Sequence, residues 1–107
     1  MNLTGRPPYQ KATNAPTGTA AGRRHIARVK ALPCVVCGRA GPYDAHHVIH
    51  DRLTVPRDDF RTIPLCKAHH QDGPDAIHNG KTTWAERYGM DFDYLPAVER
   101  QLKETDT

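Results

Sequence analysis

Leu65–His70, "LCKAHH", places a cysteine, two spacers and two consecutive histidines within six positions. Upstream, Asp44–His50, "DAHHVIH", carries a second adjacent pair, His46–His47. Seven histidines and three cysteines in 107 residues are a dense supply of metal ligands. Whether they build one site, two sites or a histidine-rich surface decides both the fold and the function.

Cys34-x-x-Cys37 and Cys66-x-x-His69 have zinc-knuckle spacing in both halves. Two ligands separated by two residues grip one tetrahedral ion from a single turn, and three cysteines with one histidine are a common structural zinc set. The rival reading, a redox Cys-x-x-Cys with Cys66 and His69 incidental, lacks the βαβ context such motifs need. A closed zinc site also contributes folding free energy directly. That suits a chain with only 37% hydrophobic residues, nine prolines and eight glycines, because small domains bury thin cores and recruit metals or disulfides to hold them.

With His69 in the knuckle, His46, His47, His70 and His78 remain. Neighbouring residues on a strand point to opposite faces, so the His46–His47 pair implies two roles rather than two ligands of one ion. One imidazole can bind a metal while the other, titrating near neutrality, acts as a base. His70 adds a ligand from the following helix, and His78 a third from beyond the Gly73–Pro74 break. The bland alternative is a set of surface or interior histidines with ordinary partners.

The net charge is +3, and its distribution is uneven. No acidic residue precedes Asp44, whereas Arg6, Lys11, Arg23, Arg24, Arg28, Lys30 and Arg39 do. A basic arm leading into a mixed-charge body suits a polyanion such as nucleic acid; a solvated tail would look the same. No apolar run approaches the roughly 20 residues of a membrane span, and the N-terminus lacks the apolar core of a signal peptide. A reducing cytosol is therefore the expectation, where clustered cysteines hold metal rather than form disulfides. The odd count of three agrees.

Residues 1 to 22 read as a flexible basic arm, rich in Pro, Thr, Gly and Ala. From Arg23 to Leu32, "RRHIARVKAL" is compatible with a helix that Pro33 ends. "CVVCGRAGPYDAHHVI" reads as a knuckle followed by a strand, and "FRTIPL" as a second strand. A short helix from near Cys66 cannot pass Gly73–Pro74. "TTWAERYG" suggests a capping box, Thr83 with Glu86, and a helix closed by Gly89. Trp84 and Tyr88 lie on one face of it, read as core rather than as a base-stacking surface. "YLPAVERQLKE" sets Leu95, Val98 and Leu102 on one stripe. The order expected is helix, strand, strand, helix, then two covering helices.

Taken together, "CVVC", "DAHHVI", "IPLCKAHH", a following histidine and "WAERYG" resemble HNH endonucleases of the ββα-metal (His-Me finger) class. More narrowly, they resemble small phage and prophage nucleases related to the recombination-enhancement nuclease Ref. The resemblance covers about residues 33–90. It implies an α+β fold: a small ββα-metal core with a structural zinc knuckle and flanking helices, filling a nuclease domain over 23–107. It makes His47 the general base, His46 and His70 ligands of the catalytic ion, and His78 a possible third. Cys34, Cys37, Cys66 and His69 match the structural zinc set. The motif's middle asparagine is absent; Asp59, Phe60 and Arg61 stand in its place, with Asp58 or Asp59 available as a substitute.

The activity implied is metal-dependent hydrolysis of DNA, nicking to leave a 5′-phosphate, in phage or prophage recombination within a bacterial host cytosol. The resemblance implies Mg²⁺ or Mn²⁺ as the working ion, whereas imidazole ligands suit Zn²⁺ or Ni²⁺. Arg23, Arg24, Arg28 and Lys30 would meet DNA phosphates, with Arg52, Arg57 and Arg61 near the scissile one. No dimerisation stripe is evident, so a monomer or weak dimer is expected, with no membrane partner. Two alternatives compete: a non-catalytic zinc-knuckle nucleic-acid-binding module, and a metal-stapled interaction protein with solvent-facing histidines.

Overall fold

A computed structural model describes residues 17–105. The described residues fold into a small α+β unit: a two-stranded antiparallel sheet and four α-helices. Helix α1 spans Ala20–Lys30, strand β1 Asp44–His47, strand β2 Thr62–Leu65, and helix α2 Lys67–His70. A 3₁₀ turn at Ile77–Asn79 precedes α3, Lys81–Tyr88; a second, Asp91–Tyr94, leads into α4, Leu95–Thr105. No helix among the described residues is long and apolar enough to cross a membrane.

Helix α1 starts three residues before the expected Arg23. Thr19 is its N-cap, its hydroxyl oxygen accepting the Gly22 amide at 2.9 Å, so Ala20 and Ala21 join the helix rather than the arm. Such a cap satisfies one of the orphan amides of the first turn and is worth about 1 kcal/mol. The last residues assigned to the arm therefore belong to the folded body. The rest of the arm, 1–16, lies outside the described residues. Helix α3 also departs from expectation. It begins at Lys81 after Gly80, which makes no side-chain cap, and Thr83 lies inside the first turn. The Thr83–Glu86 spacing is thus not a capping box. Gly89 closes the helix with φ 87°, a left-handed conformation that glycine adopts without strain.

The two strands pair Asp44 with Leu65, Ala45 with Pro64, His46 with Ile63 and His47 with Thr62. Pro64 has no amide to donate and is tolerated because the sheet has only two strands. Its carbonyl instead accepts the Val35 amide at 2.9 Å, which draws the Cys34–Cys37 turn against β2. All four residues of β2 are buried. Helix α1 lies against both strands, α2 continues directly from β2, and α4 covers β2 and α1.

The core joins Val29 of α1, Val48, Ile63 and Leu65, Ile77, Trp84 of α3, and Val98 and Leu102 of α4. Fully burying one such aliphatic side chain contributes about 1.5–3 kcal/mol. Trp84 is 2% exposed and its ring lies 5.2 Å from that of Tyr88, so this aromatic pair packs the interior rather than offering a surface for stacked bases.

Candidate functional site

Among the described residues, two clusters of side chains could hold a metal ion, and the single turn of α2 contributes to both. In the first, Cys34, Cys37, Cys66 and His69 bring one ligand atom each to within 4.8 Å of the others. Cys37 Sγ lies 3.8 Å from Cys66 Sγ, and His69 Nδ1 lies 3.2 Å from Cys66 Sγ and 4.0 Å from Cys34 Sγ. Sulfurs about 2.3 Å from a tetrahedral zinc stand about 3.8 Å apart, far beyond the roughly 2.05 Å of a disulfide. The three thiols are free. This cluster fits a metal ion, and its donor set suits structural zinc.

Local sequence explains the geometry. Gly38, at φ 75°, makes the left-handed step after Cys37, and its amide bonds back to the Cys34 carbonyl at 2.8 Å. Burial opposes ionisation of Cys34, but backbone hydrogen bonds from Cys66, Cys37 and Val36 outweigh it and hold the thiol pKa below its ordinary value. Burial raises that of Cys66.

The second cluster comprises His46, His70 and His78. His46 is 1% exposed. Its Nε2–H donates to Asp91 Oδ2 at 3.0 Å, and its Nδ1 is buried with no hydrogen-bond partner. An orphaned buried ring nitrogen costs roughly 1–3 kcal/mol unless something else satisfies it. His70 repeats the pattern: Nδ1–H donates to Asp44 Oδ2 at 3.0 Å, leaving Nε2 3.0 Å from His78 Nε2. Two imidazole nitrogens on one tetrahedral ion stand about 3.3 Å apart. Burial lowers the pKa of both His46 and His78, favouring the neutral form that ligates. Carboxylates that orient imidazoles through the distal nitrogen are the usual second support of a histidine metal site. These three residues therefore also fit an ion.

Asp91 was not foreseen. It is fully buried, and its carboxylate also accepts the amides of Ile49 at 2.7 Å and His50 at 3.2 Å. Burial opposes its charge, but the His46 hydrogen bond and the Ile49 amide prevail and depress its pKa. At Asp44 the hydrogen bond from His70 leads in lowering the pKa, with Lys67 adding to it. His50 accepts the Asp91 amide on Nδ1 and donates Nε2–H to the Lys81 carbonyl, so it braces the loop and is not among the three clustered ligands.

His47, next along β1, has different partners. Nε2 lies 2.8 Å from Asp59 Oδ1, and Nδ1 lies 3.3 Å from an Arg57 nitrogen. A carboxylate only accepts and a guanidinium only donates, so both contacts are met by one tautomer: the proton on Nε2 and the lone pair on Nδ1. Of Asp58 and Asp59, it is Asp59 that contacts the His47 ring.

His46, His47, His70 and His78 line a cleft of about 490 Å³. Lys30, Arg52, Arg57 and Lys67 line the same cleft and supply its positive charge. Lys67 was not anticipated. Arg61 does not line it; its guanidinium makes a two-pronged pair with Asp51, at 3.1 and 2.7 Å. Arg23 donates to the Gly18 carbonyl and Arg28 to that of Leu102, while Arg24 lies on the exposed face of α1.

Residues 17–103 match the family described as a protein of unknown function, DUF968. That span is most of the chain, and the chain belongs to this family. No curated protein and no solved structure matches it.

Proposed function

We propose that this protein is a metal-dependent endonuclease of the HNH type, hydrolysing DNA phosphodiester bonds, with β1, β2 and α2 as its ββα-metal core. The observation that carries this reading is the adjacency of two chemistries on β1. His46, whose Nδ1 is buried and unpartnered, brings a ring nitrogen within 4.8 Å of ligand atoms of His70 and His78, while His47 holds a lone pair at Nδ1 beside Arg57. A zinc-knuckle binding module or a metal-stapled interaction protein gives no reason for the second arrangement.

His47 Nδ1 takes the proton from the attacking water, a role typically worth 10²–10⁴-fold in rate. Asp59 keeps the ring in the required tautomer and stabilises the imidazolium once it forms. Lys30, Arg52 and Lys67 contact phosphates and fix the strand across the cleft, and Arg57 stands closest to the reacting phosphoryl group. A divalent ion held by His46, His70 and His78 would supply Lewis-acid stabilisation of the charge on the phosphoryl and leaving oxygens. The products are a 5′-phosphate and a 3′-hydroxyl. An all-imidazole ligand set favours Zn²⁺ or Ni²⁺ over Mg²⁺.

The test is nicking of supercoiled plasmid by zinc-replete protein and by His47→Ala, across Mg²⁺, Mn²⁺, Ni²⁺ and Zn²⁺. Metal-dependent nicking by the natural protein, lost in a folded His47→Ala, is expected. DNA binding without cleavage by either would favour the zinc-knuckle binding module.

A further inference from the structure

Asp59, which contacts His47, is also held by a segment outside the nuclease-like stretch. Asp59 is 5% exposed. Its Oδ1 takes the His47 Nε2–H while its Oδ2 accepts the Gly18 amide, each at 2.8 Å. The carboxylate therefore bridges the start of α1 and the base. Gly22, in the first turn of α1, is buried against it. A Cβ at this position would lie 2.7 Å from Asp59 Oδ2 and 3.1 Å from Asp59 Cβ, closer than side-chain carbons pack.

The turn is closed on itself. The Thr19 hydroxyl accepts the Gly22 amide at 2.9 Å, and Arg23 donates to the Gly18 carbonyl at 2.7 Å. The Asp59 backbone is held as well, its carbonyl accepting the Thr62 hydroxyl at 3.2 Å. Burial opposes the charge on Asp59, but the hydrogen bonds from His47 and Gly18 outweigh it and hold its pKa below the ordinary value. The family match likewise begins at residue 17, so this segment lies within the matched span.

We propose that the start of α1, through Gly18 and Gly22, is a positioning element for His47, holding Asp59 in the one orientation that leaves the ring lone pair on Nδ1. The kinetic consequence rests on the endonuclease reading; the tautomer does not. Alanine stabilises a helix relative to glycine by about 0.5–1 kcal/mol. Gly22→Ala should therefore favour α1 while displacing the carboxylate, so damage to the site cannot come from a weakened helix.

The experiment uses the full-length, zinc-replete protein labelled with ¹⁵N-histidine. NMR reads the His47 tautomer in the natural protein, Gly22→Ala, Asp59→Ala and the double variant, beside plasmid-nicking kinetics. The natural protein should hold the Nε2–H tautomer, and Gly22→Ala and Asp59→Ala should lose it to a mixture. In Gly22→Ala, kcat should fall on the order of 10²-fold, the typical cost of displacing a reacting group by about 1 Å, with KM unchanged. The double variant should match Asp59→Ala alone, because both changes break one linkage. An unchanged tautomer and kcat in Gly22→Ala, or losses that add to those of Asp59→Ala, overturns the proposal. Should Gly22→Ala not fold, Thr19→Val, which loosens the same turn without adding bulk, decides: a shifted tautomer supports the clamp and an unshifted one overturns it. If the tautomer responds as expected while no protein nicks any DNA, the clamp stands and the endonuclease reading falls.

Discussion

Asp59 and His47, twelve positions apart in the chain, are joined by a 2.8 Å hydrogen bond from the imidazole Nε2 to the carboxylate, Asp59 lying in the loop that leads into β2. The same carboxylate is fixed on its other oxygen by the Gly18 amide, so the bond sets the proton's place on the ring as well as the ring's orientation.

Replacing that carboxylate with an amide should invert the tautomer. In Asp59→Asn the amide oxygen takes the Gly18 amide and the amide nitrogen donates to His47 Nε2, moving the ring proton to Nδ1. Nicking should fall on the order of 10²–10⁴-fold, the usual worth of a general base, with zinc content and far-ultraviolet circular dichroism unchanged. Natural turnover in Asp59→Asn would contradict the assignment of Nδ1 as the basic atom.

The same substitution makes a claim about pH. The folded-state pKa of Asp59 lies below its ordinary value, so its stabilising contribution is fully present above about pH 4 and is lost as pH falls through the depressed value. The stability gap between the natural protein and Asp59→Asn, measured by urea unfolding, should therefore narrow as pH falls below about 4. A gap that widens with acid would mean that Asp59 is not charged in the folded state.

Removing one knuckle ligand should unfold the chain. Zinc binding at such sites is worth about 10–16 kcal/mol, as much as the whole stability of a small domain. Cys37 is exposed and fills no core volume, so Cys37→Ala isolates the loss of a ligand from any cavity. Atomic absorption and thermal melting should show zinc lost and the cooperative transition abolished. Stoichiometric zinc with an unchanged melting temperature would remove Cys37 from the ligand set.

Asp44 is the cleaner probe of the histidine cluster, since it is partly exposed and braces His70 Nδ1. Asp44→Ala should weaken binding of Mn²⁺ or Ni²⁺ to zinc-loaded protein about 10–100-fold, the typical cost of losing such a brace. Isothermal titration calorimetry reads this directly. Equal affinity would show that His70 does not hold the ion through Nε2.

The arginines divide by where the fold puts them. Arg52 and Lys30 line the cleft, and each Ala substitution should reduce the salt dependence of DNA binding by about 0.9 in the logarithmic slope. Arg61 is tied to Asp51, so Arg61→Ala should leave that slope unchanged while lowering stability. Fluorescence anisotropy over a range of salt concentrations separates the two. An equal loss of slope at Arg61 would place the DNA across the Asp51 loop instead.

Much of the site is local in sequence and was legible there. Cys-x-x-Cys and Cys-x-x-His set two ligands on one turn, and the fold brings the two halves together around one centre. The alternation of a strand separates His46 from His47, and one turn of helix places His69 and His70 toward different clusters. These are properties of short backbone geometry, which residue spacing encodes. The capping of α1 by Thr19 was equally local but was masked by the composition of the segment around it, and the Thr83–Glu86 spacing misled because α3 begins at Lys81.

What the sequence by itself determined is therefore the inventory: which side chains could ligate, and on which elements they ride. Only the tertiary structure decided what braces them. Asp91 reaches His46 across 45 positions and Asp59 takes the Gly18 amide across 41, and Arg61 turns away from the cleft to Asp51. No spacing rule links residues so far apart. Their pairing follows from burial, since a carboxylate enclosed by the core is tolerated only where imidazole and amide donors converge on it.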